Sequence, residues 1–115
     1  MKIKDFIQKY DTENQFKVLK DSYKQIASAW NNKIDLSDLK REKFSSIVFC
    51  GLGGSAISGD LLIDYLSVEL SIPFSVVRGY DIPSFANNNT LIIISSYSGN
   101  TEETISCFNQ AIKKD

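Results

Sequence analysis

Apolar and polar positions recur along this chain with two different periods, and the change falls near residue 45. Before it, Phe16, Leu19, Tyr23, Ile26, Ala27 and Trp30 return at three- and four-residue steps. That spacing stacks side chains on one face of a helix. Thr12-x-x-Gln15, just ahead of the stripe, has the form of a capping box in which the Thr12 hydroxyl accepts the N3 amide. Asn31-Asn32 reads as the stop, and a shorter helical stretch covers Ile3 to Tyr10. The Phe16–Trp30 stripe is expected to pack on a core.

From Ser46 the pattern is that of strands alternating with helices. Ile47-Val48-Phe49-Cys50 is a continuous apolar run of strand length, followed by the Gly-rich Gly51-Leu52-Gly53-Gly54-Ser55 and a helical pattern from Ala56 to about Leu66. Phe74-Ser75-Val76-Val77 is a second short strand, and residues 79–89 read as a loop. Thr90 to Ser95 is a third strand, apolar on both faces, as a buried parallel sheet requires. A last helix runs from Glu102 to Lys114, with Asn100 and Glu103 as a cap pair and Lys113-Lys114 complementing the dipole at its end. Strands and helices in alternation imply right-handed crossovers and an α/β fold. The expected architecture is a three-layer, flavodoxin-like parallel sheet, incomplete, preceded by helices. Residues 1–44 form the helical segment and 45–115 the first part of the α/β domain. Three strands leave a thin core and an open edge, so the sequence is expected to be the N-terminal part of a longer protein.

Composition narrows the function. With 43% hydrophobic and 23% charged residues, 6 Gly and 2 Pro, the chain is an ordinary globular sequence. No apolar run approaches the ~20 residues that span a bilayer, and the N-terminus carries charges among its apolar positions, without the hydrophobic region of a signal peptide. A cytoplasmic location without membrane attachment is expected. Two cysteines, Cys50 and Cys107, are too few for a disulfide framework and read as buried thiols. The chain has no histidine, so neither an imidazole-based zinc site nor a Ser-His or Cys-His nucleophile pair is available within it. The net charge of −1 gives no reason to expect nucleic acid as a partner. The distribution says more: residues 1–44 carry a balance of +3 and residues 45–115 one of −4. An anion bound by the second part must be held by neutral donors.

Two loops meet that condition. Residues 51–55 and 96–101 each lie at the C-terminal end of a predicted strand and open a helix, where open α/β sheets bind ligands. With a strand order beginning 2-1-3, strands one and three flank the switch point and the two loops face one crevice. Gly51, Gly53 and Gly54 bring backbone amides close to a ligand, while Ser55, Ser96, Ser98 and Thr101 add hydroxyls. Two helix N-termini would aim N–H groups at the same place, which suits a phosphate. Arg78 is the only basic side chain between residues 44 and 112.

Other readings compete. Gly51-x-Gly53-x-x-Ala56 fits a loose dinucleotide fingerprint, but the place of the ribose-binding acid is taken by Arg78, which leaves only an NADP-type Rossmann site and gives the 96–101 loop no purpose. Asp60 and Asp64, one helical turn apart, could pair on a metal, although a solvated helix face explains them without one. Cys50, at a strand end, reads better as a buried thiol than a reactive one.

Gly51-Leu-Gly-Gly-Ser-Ala-Ile-Ser-Gly-Asp60, Val76-Val-Arg-Gly-Tyr80 and Ser95-Ser-Tyr-Ser-Gly-Asn-Thr-Glu-Glu-Thr104 resemble the sugar isomerase (SIS) domain family. More narrowly, they look like the first SIS domain in its bifunctional phosphoglucose/phosphomannose isomerase branch. The likeness covers residues 46–112, with Leu52 and Ala56 in place of the usual Met and Gly. It implies that Gly54, Ser55, Ser96, Ser98 and Thr101 bind the 6-phosphate of a hexose 6-phosphate. It further implies a homodimeric enzyme without metal or cofactor that interconverts glucose 6-phosphate or mannose 6-phosphate with fructose 6-phosphate through an enediol. The glutamate base and the assisting histidine of that family come from regions outside this chain, and no catalytic role passes to Glu102 or Glu103. A non-catalytic SIS module that senses a phosphosugar is the alternative. The phosphate-binding residues do not distinguish glucose from mannose, and the role of Arg78 is left open.

Overall fold

Three apolar segments pair in parallel to make one sheet: β1 (Ser46–Cys50), β2 (Phe74–Val77) and β3 (Thr90–Ile94). The order is β2-β1-β3, as expected for a flavodoxin-like start, with β1 central. Val48 faces Ser75 on one side and Ile92 on the other, and Cys50 faces Val77 and Ile94. This computed structural model describes residues 2–37 and 43–114. The chain divides into two compact units, Met1–Lys40 and Arg41–Asp115. The portion of the predicted 1–44 helical segment at 38–42 lies outside the described residues.

The alternation of side chains along a strand gives the sheet two covered faces. On one, Val48, Cys50, Val77, Ile92 and Ile94 pack with Cys107 and Ala111 of helix α5 (Glu102–Ile112) and with Ile82 and Ala86 of the β2–β3 connection. On the other, Phe49 and Val76 lie under helix α4 (Gly54–Leu66) at Gly59, where an added Cβ would come within 2.7 Å of Phe49 Cδ1 and 2.9 Å of Val76 Cγ2. The result is three layers: α4, sheet, α5. The connection after β2 is fastened to α5 by Gln110. Its Nε2 donates to the Tyr80 carbonyl (2.7 Å) and its Oε1 accepts from the Ile82 amide (3.2 Å). Lys114, expected to serve the dipole of its own helix, instead donates from Nζ to the Ala86 carbonyl at 2.9 Å.

The first unit contains helices α1 (Ile3–Tyr10), α2 (Gln15–Asp21) and α3 (Tyr23–Asn31). Two expectations change here. The single helix carrying the Phe16–Trp30 stripe is two, parted at Ser22, whose hydroxyl donates to the Leu19 carbonyl (2.8 Å) and competes with the helix ladder. Thr12 does not cap α2. Asp11 does, its two carboxylate oxygens accepting the amides of Gln15 (2.7 Å) and Phe16 (2.9 Å), because a carboxylate is the stronger acceptor and suits the positive end of the dipole. The stripe finds no core within this unit: none of the three helices has a buried residue, and Trp30 is 79% exposed. No described helix is long and apolar enough to cross a membrane.

Candidate functional site

The Gly-rich turn after β1 is shaped by contacts that side chains would forbid. A Cβ on Gly51 would lie 3.1 Å from Ala56 N and 3.2 Å from the Ser95 carbonyl, so the absence of one lets the start of α4 and the end of β3 converge on the same point. Gly53 adopts φ +55°, the left-handed region open to glycine, and turns the chain directly into α4 at Gly54. The predicted start at Ala56 is therefore two residues late. On the other side, the Ser95 amide donates to the Cys50 carbonyl (2.8 Å), which carries the pairing of β1 with β3 one residue past the strand.

The two loops line one open concavity of about 520 Å³, bounded by Leu52, Gly54, Ser55 and Ser58 from the first and by Ser95, Ser96 and Tyr97 from the second. Of the sequence-predicted phosphate ligands, Gly54, Ser55 and Ser96 lie on its wall, while Ser98 and Thr101 do not. Those two belong to a hydroxyl cluster behind Ser96. Thr101 Oγ1 lies 3.4 Å from Ser96 Oγ and 3.3 Å from Ser98 Oγ. The Gly99 amide donates to Ser96 Oγ (3.0 Å) and the Asn100 amide to Ser98 Oγ (3.2 Å), with Gly99 at φ +67°.

Neither helix that opens at this edge has a side-chain cap. The N-cap of α5 is Thr101, in place of the expected Asn100–Glu103 pair, and its hydroxyl lies beside the two serines at 3.3–3.4 Å without capping the helix. In α4 the amides of Ser55 and Ala56 donate to the carbonyls of Leu52 and Gly53 (both 3.1 Å), which leaves the Gly54 amide, while the first amides of α5 lack the side-chain acceptor that an N-cap usually supplies. An anion at the concavity would find the hydroxyls of Ser55, Ser58, Ser95 and Ser96 and the N-terminal end of α4, whereas the first turn of α5 lies off the wall and carries Glu102 and Glu103.

The charged groups nearby are otherwise engaged. Arg78, one residue past β2, forms an ion pair with Asp60 of α4. That contact removes Asp60 from the metal pair considered with Asp64, and no group of three or more metal-ligating side chains occurs among the described residues. It also occupies the arginine that an NADP-type site would need. Tyr80 Oη donates to Glu102 (3.3 Å), and the negative charge of Glu103, ahead of burial and of Glu102 itself, pushes the phenol above its ordinary value.

Comparison with known proteins finds relatives that share one name. Over 91 residues the chain is 43% identical to a bifunctional phosphoglucose/phosphomannose isomerase of Caldicellulosiruptor bescii, a match covering 78% of this chain and 27% of that protein. A protein of the same name from Aquifex aeolicus is 36% identical over 97 residues, covering 82% and 30%. One from Thermoplasma acidophilum is 48% identical over 71 residues, covering 62% and 22%. By sequence, the chain is similar to a part of the bifunctional phosphoglucose/phosphomannose isomerases. It spans less than a third of the length of these three isomerases. No family model and no solved structure matches.

Both cysteines are core thiols: Cys50 and Cys107 are free and buried. Burial, reinforced by Cys107, pushes the Cys50 thiol up to about 12, and burial raises Cys107 as well. Neither thiol is a nucleophile near neutral pH. Sequence reasoning missed four lining residues: Ser95, read as the end of the third strand, and Ser58, Leu52 and Tyr97. Ser58 lies three residues after Ser55, hence on the same helix face, and that spacing was a usable signal. Leu52 and Tyr97 carried none, being apolar residues inside polar loops.

Proposed function

We propose that this chain is the phosphate-binding part of a phosphosugar isomerase, acting on glucose 6-phosphate or mannose 6-phosphate and giving fructose 6-phosphate through an enediol. One observation carries the reading: the two helix-opening loops of adjacent strands β1 and β3 meet at a single concavity lined by small hydroxyl-bearing residues. The names of the isomerase relatives support the substrate class. Gly54, Ser55 and Ser96 contact the phosphate directly. Ser98 and Thr101 contribute hydroxyls from behind. Their mutual contacts of 3.3–3.4 Å are longer than the ~2.7–2.8 Å of a good O–H···O bond, so a phosphate oxygen is the better acceptor.

The concavity holds the substrate's phosphate and not its reacting carbons. Proton transfer between C1 and C2 needs a base within hydrogen-bond reach, ~2.6–3.2 Å or one water away. The nearby carboxylate Glu102 is engaged by Tyr80. The base and an assisting histidine are assigned to residues outside this stretch, in a cytoplasmic homodimer of SIS type that needs no metal. A thermal melt tests the binding. Glucose 6-phosphate should raise the Tm of the protein and free glucose should not; equal protection by glucose would defeat the reading. In the same preparation, the 115-residue polypeptide alone should bind the sugar phosphate without forming fructose 6-phosphate.

A further inference from the structure

We propose that Tyr97, together with Leu52, forms the apolar wall of the concavity and seats the carbon skeleton of the phosphorylated sugar. The proposal rests on the phosphate reading above and extends it from the phosphate to the rest of the ligand. Tyr97 is a fully exposed aromatic side chain set between Ser96 and Ser98. A ring of that size in contact with water is costly compared with a covered one, and nothing in the local turn needs it. The turn is built by the hydroxyls of Ser96, Ser98 and Thr101 and by Gly99. Leu52 is 39% exposed and comes from the opposite loop. The remaining lining residues are Gly54, Ser55, Ser58, Ser95 and Ser96, so these two side chains supply the large apolar surface at the site.

The chemistry of the ligand matches that division. A hexose phosphate carries a dianion at one end and, along its carbon skeleton, C–H groups that form an apolar strip between hydroxyls. The C–H edges are weakly positive and the π face of a tyrosine is negative, so ring and skeleton attract while water leaves both. Inorganic phosphate satisfies the hydroxyls and amides equally well but has nothing to place on Tyr97. Discrimination of a sugar phosphate from free phosphate is therefore assigned to this ring, and not to its hydroxyl.

Titration calorimetry of the protein with inorganic phosphate and, separately, glucose 6-phosphate tests this. Tyr97→Ala should weaken glucose 6-phosphate by about tenfold and leave inorganic phosphate unchanged. Tyr97→Phe, which keeps the ring, should stay within about twofold of the parent for both. A fully exposed side chain can be removed without loss of folding, and an unchanged Tm verifies that. The proposal is overturned if Tyr97→Ala leaves glucose 6-phosphate binding intact, which would mean that another protein surface covers the ring. It is also overturned if both ligands weaken together, or if Tyr97→Phe loses as much as Tyr97→Ala. Absence of binding by either ligand to the parent protein would instead remove the phosphate reading itself, and this proposal with it.

Discussion

Ser96 and Ser98 each accept a backbone N–H on the hydroxyl oxygen, from Gly99 and Asn100 respectively. Each hydroxyl proton is thereby left to be donated, and the Thr101 hydroxyl competes for it only at long range. Ser96→Ala should cost one hydrogen bond to a charged group, roughly 1.5–3 kcal/mol, or about one to two decades of affinity for a sugar phosphate by calorimetry, and Ser98→Ala or Thr101→Val, which stand behind it, should cost less. Ser84→Ala, in the β2–β3 connection, should leave affinity unchanged. Cys50 makes a separate prediction at high pH. Its folded value of about 12 lies above the ~8.5 of an unfolded thiol, so the unfolded chain loses this proton first. The associated stability is complete below pH ~8.5 and is lost as pH rises toward 12. Urea midpoints measured at pH 8 and 10.5 should fall with pH, and less steeply in Cys50→Val.

At the scale of elements, α4 is held against the sheet at Gly59. Ala in its place gains helix propensity, about 1 kcal/mol, but its methyl would enter the Phe49 ring and Val76. Overpacking of this kind costs about 1–3 kcal/mol. Gly59→Ala should lower the denaturant midpoint and reduce phosphate affinity, because α4 carries Gly54 and Ser55 on its first turn. The elements of the second unit were legible in the sequence because β1 and β3 are apolar on both faces and each is closed by a Gly/Ser turn. The same reading placed β2 at 74–77 and the strand order at 2-1-3. It failed at helix ends. Asp11 and Thr12 can both cap α2, and Asn100 and Thr101 can both cap α5, so only the backbone path decides among them. It also failed at Ser22, where a back-bonded hydroxyl that periodicity does not register divides the helix.

At the scale of the molecule, the candidate site was legible where it depends on glycines and hydroxyls at strand ends, since topology alone brings those ends together. It was illegible at Tyr97 and Leu52, whose importance lies in being uncovered, a property of the fold and not of residue type. One feature of the site reaches beyond its walls: Arg78 is committed to Asp60, and residues 45–115 carry a balance of −4. A lysine-lined phosphate site weakens with added salt because counterions screen its attraction. Here the fixed dipoles act at contact, and what counterions screen is the repulsion between an acidic surface and a dianion. Between ~0.01 and ~0.15 M sodium chloride, as the Debye length shrinks from ~30 to ~8 Å, sugar phosphate should bind as tightly or more tightly, and arrive faster.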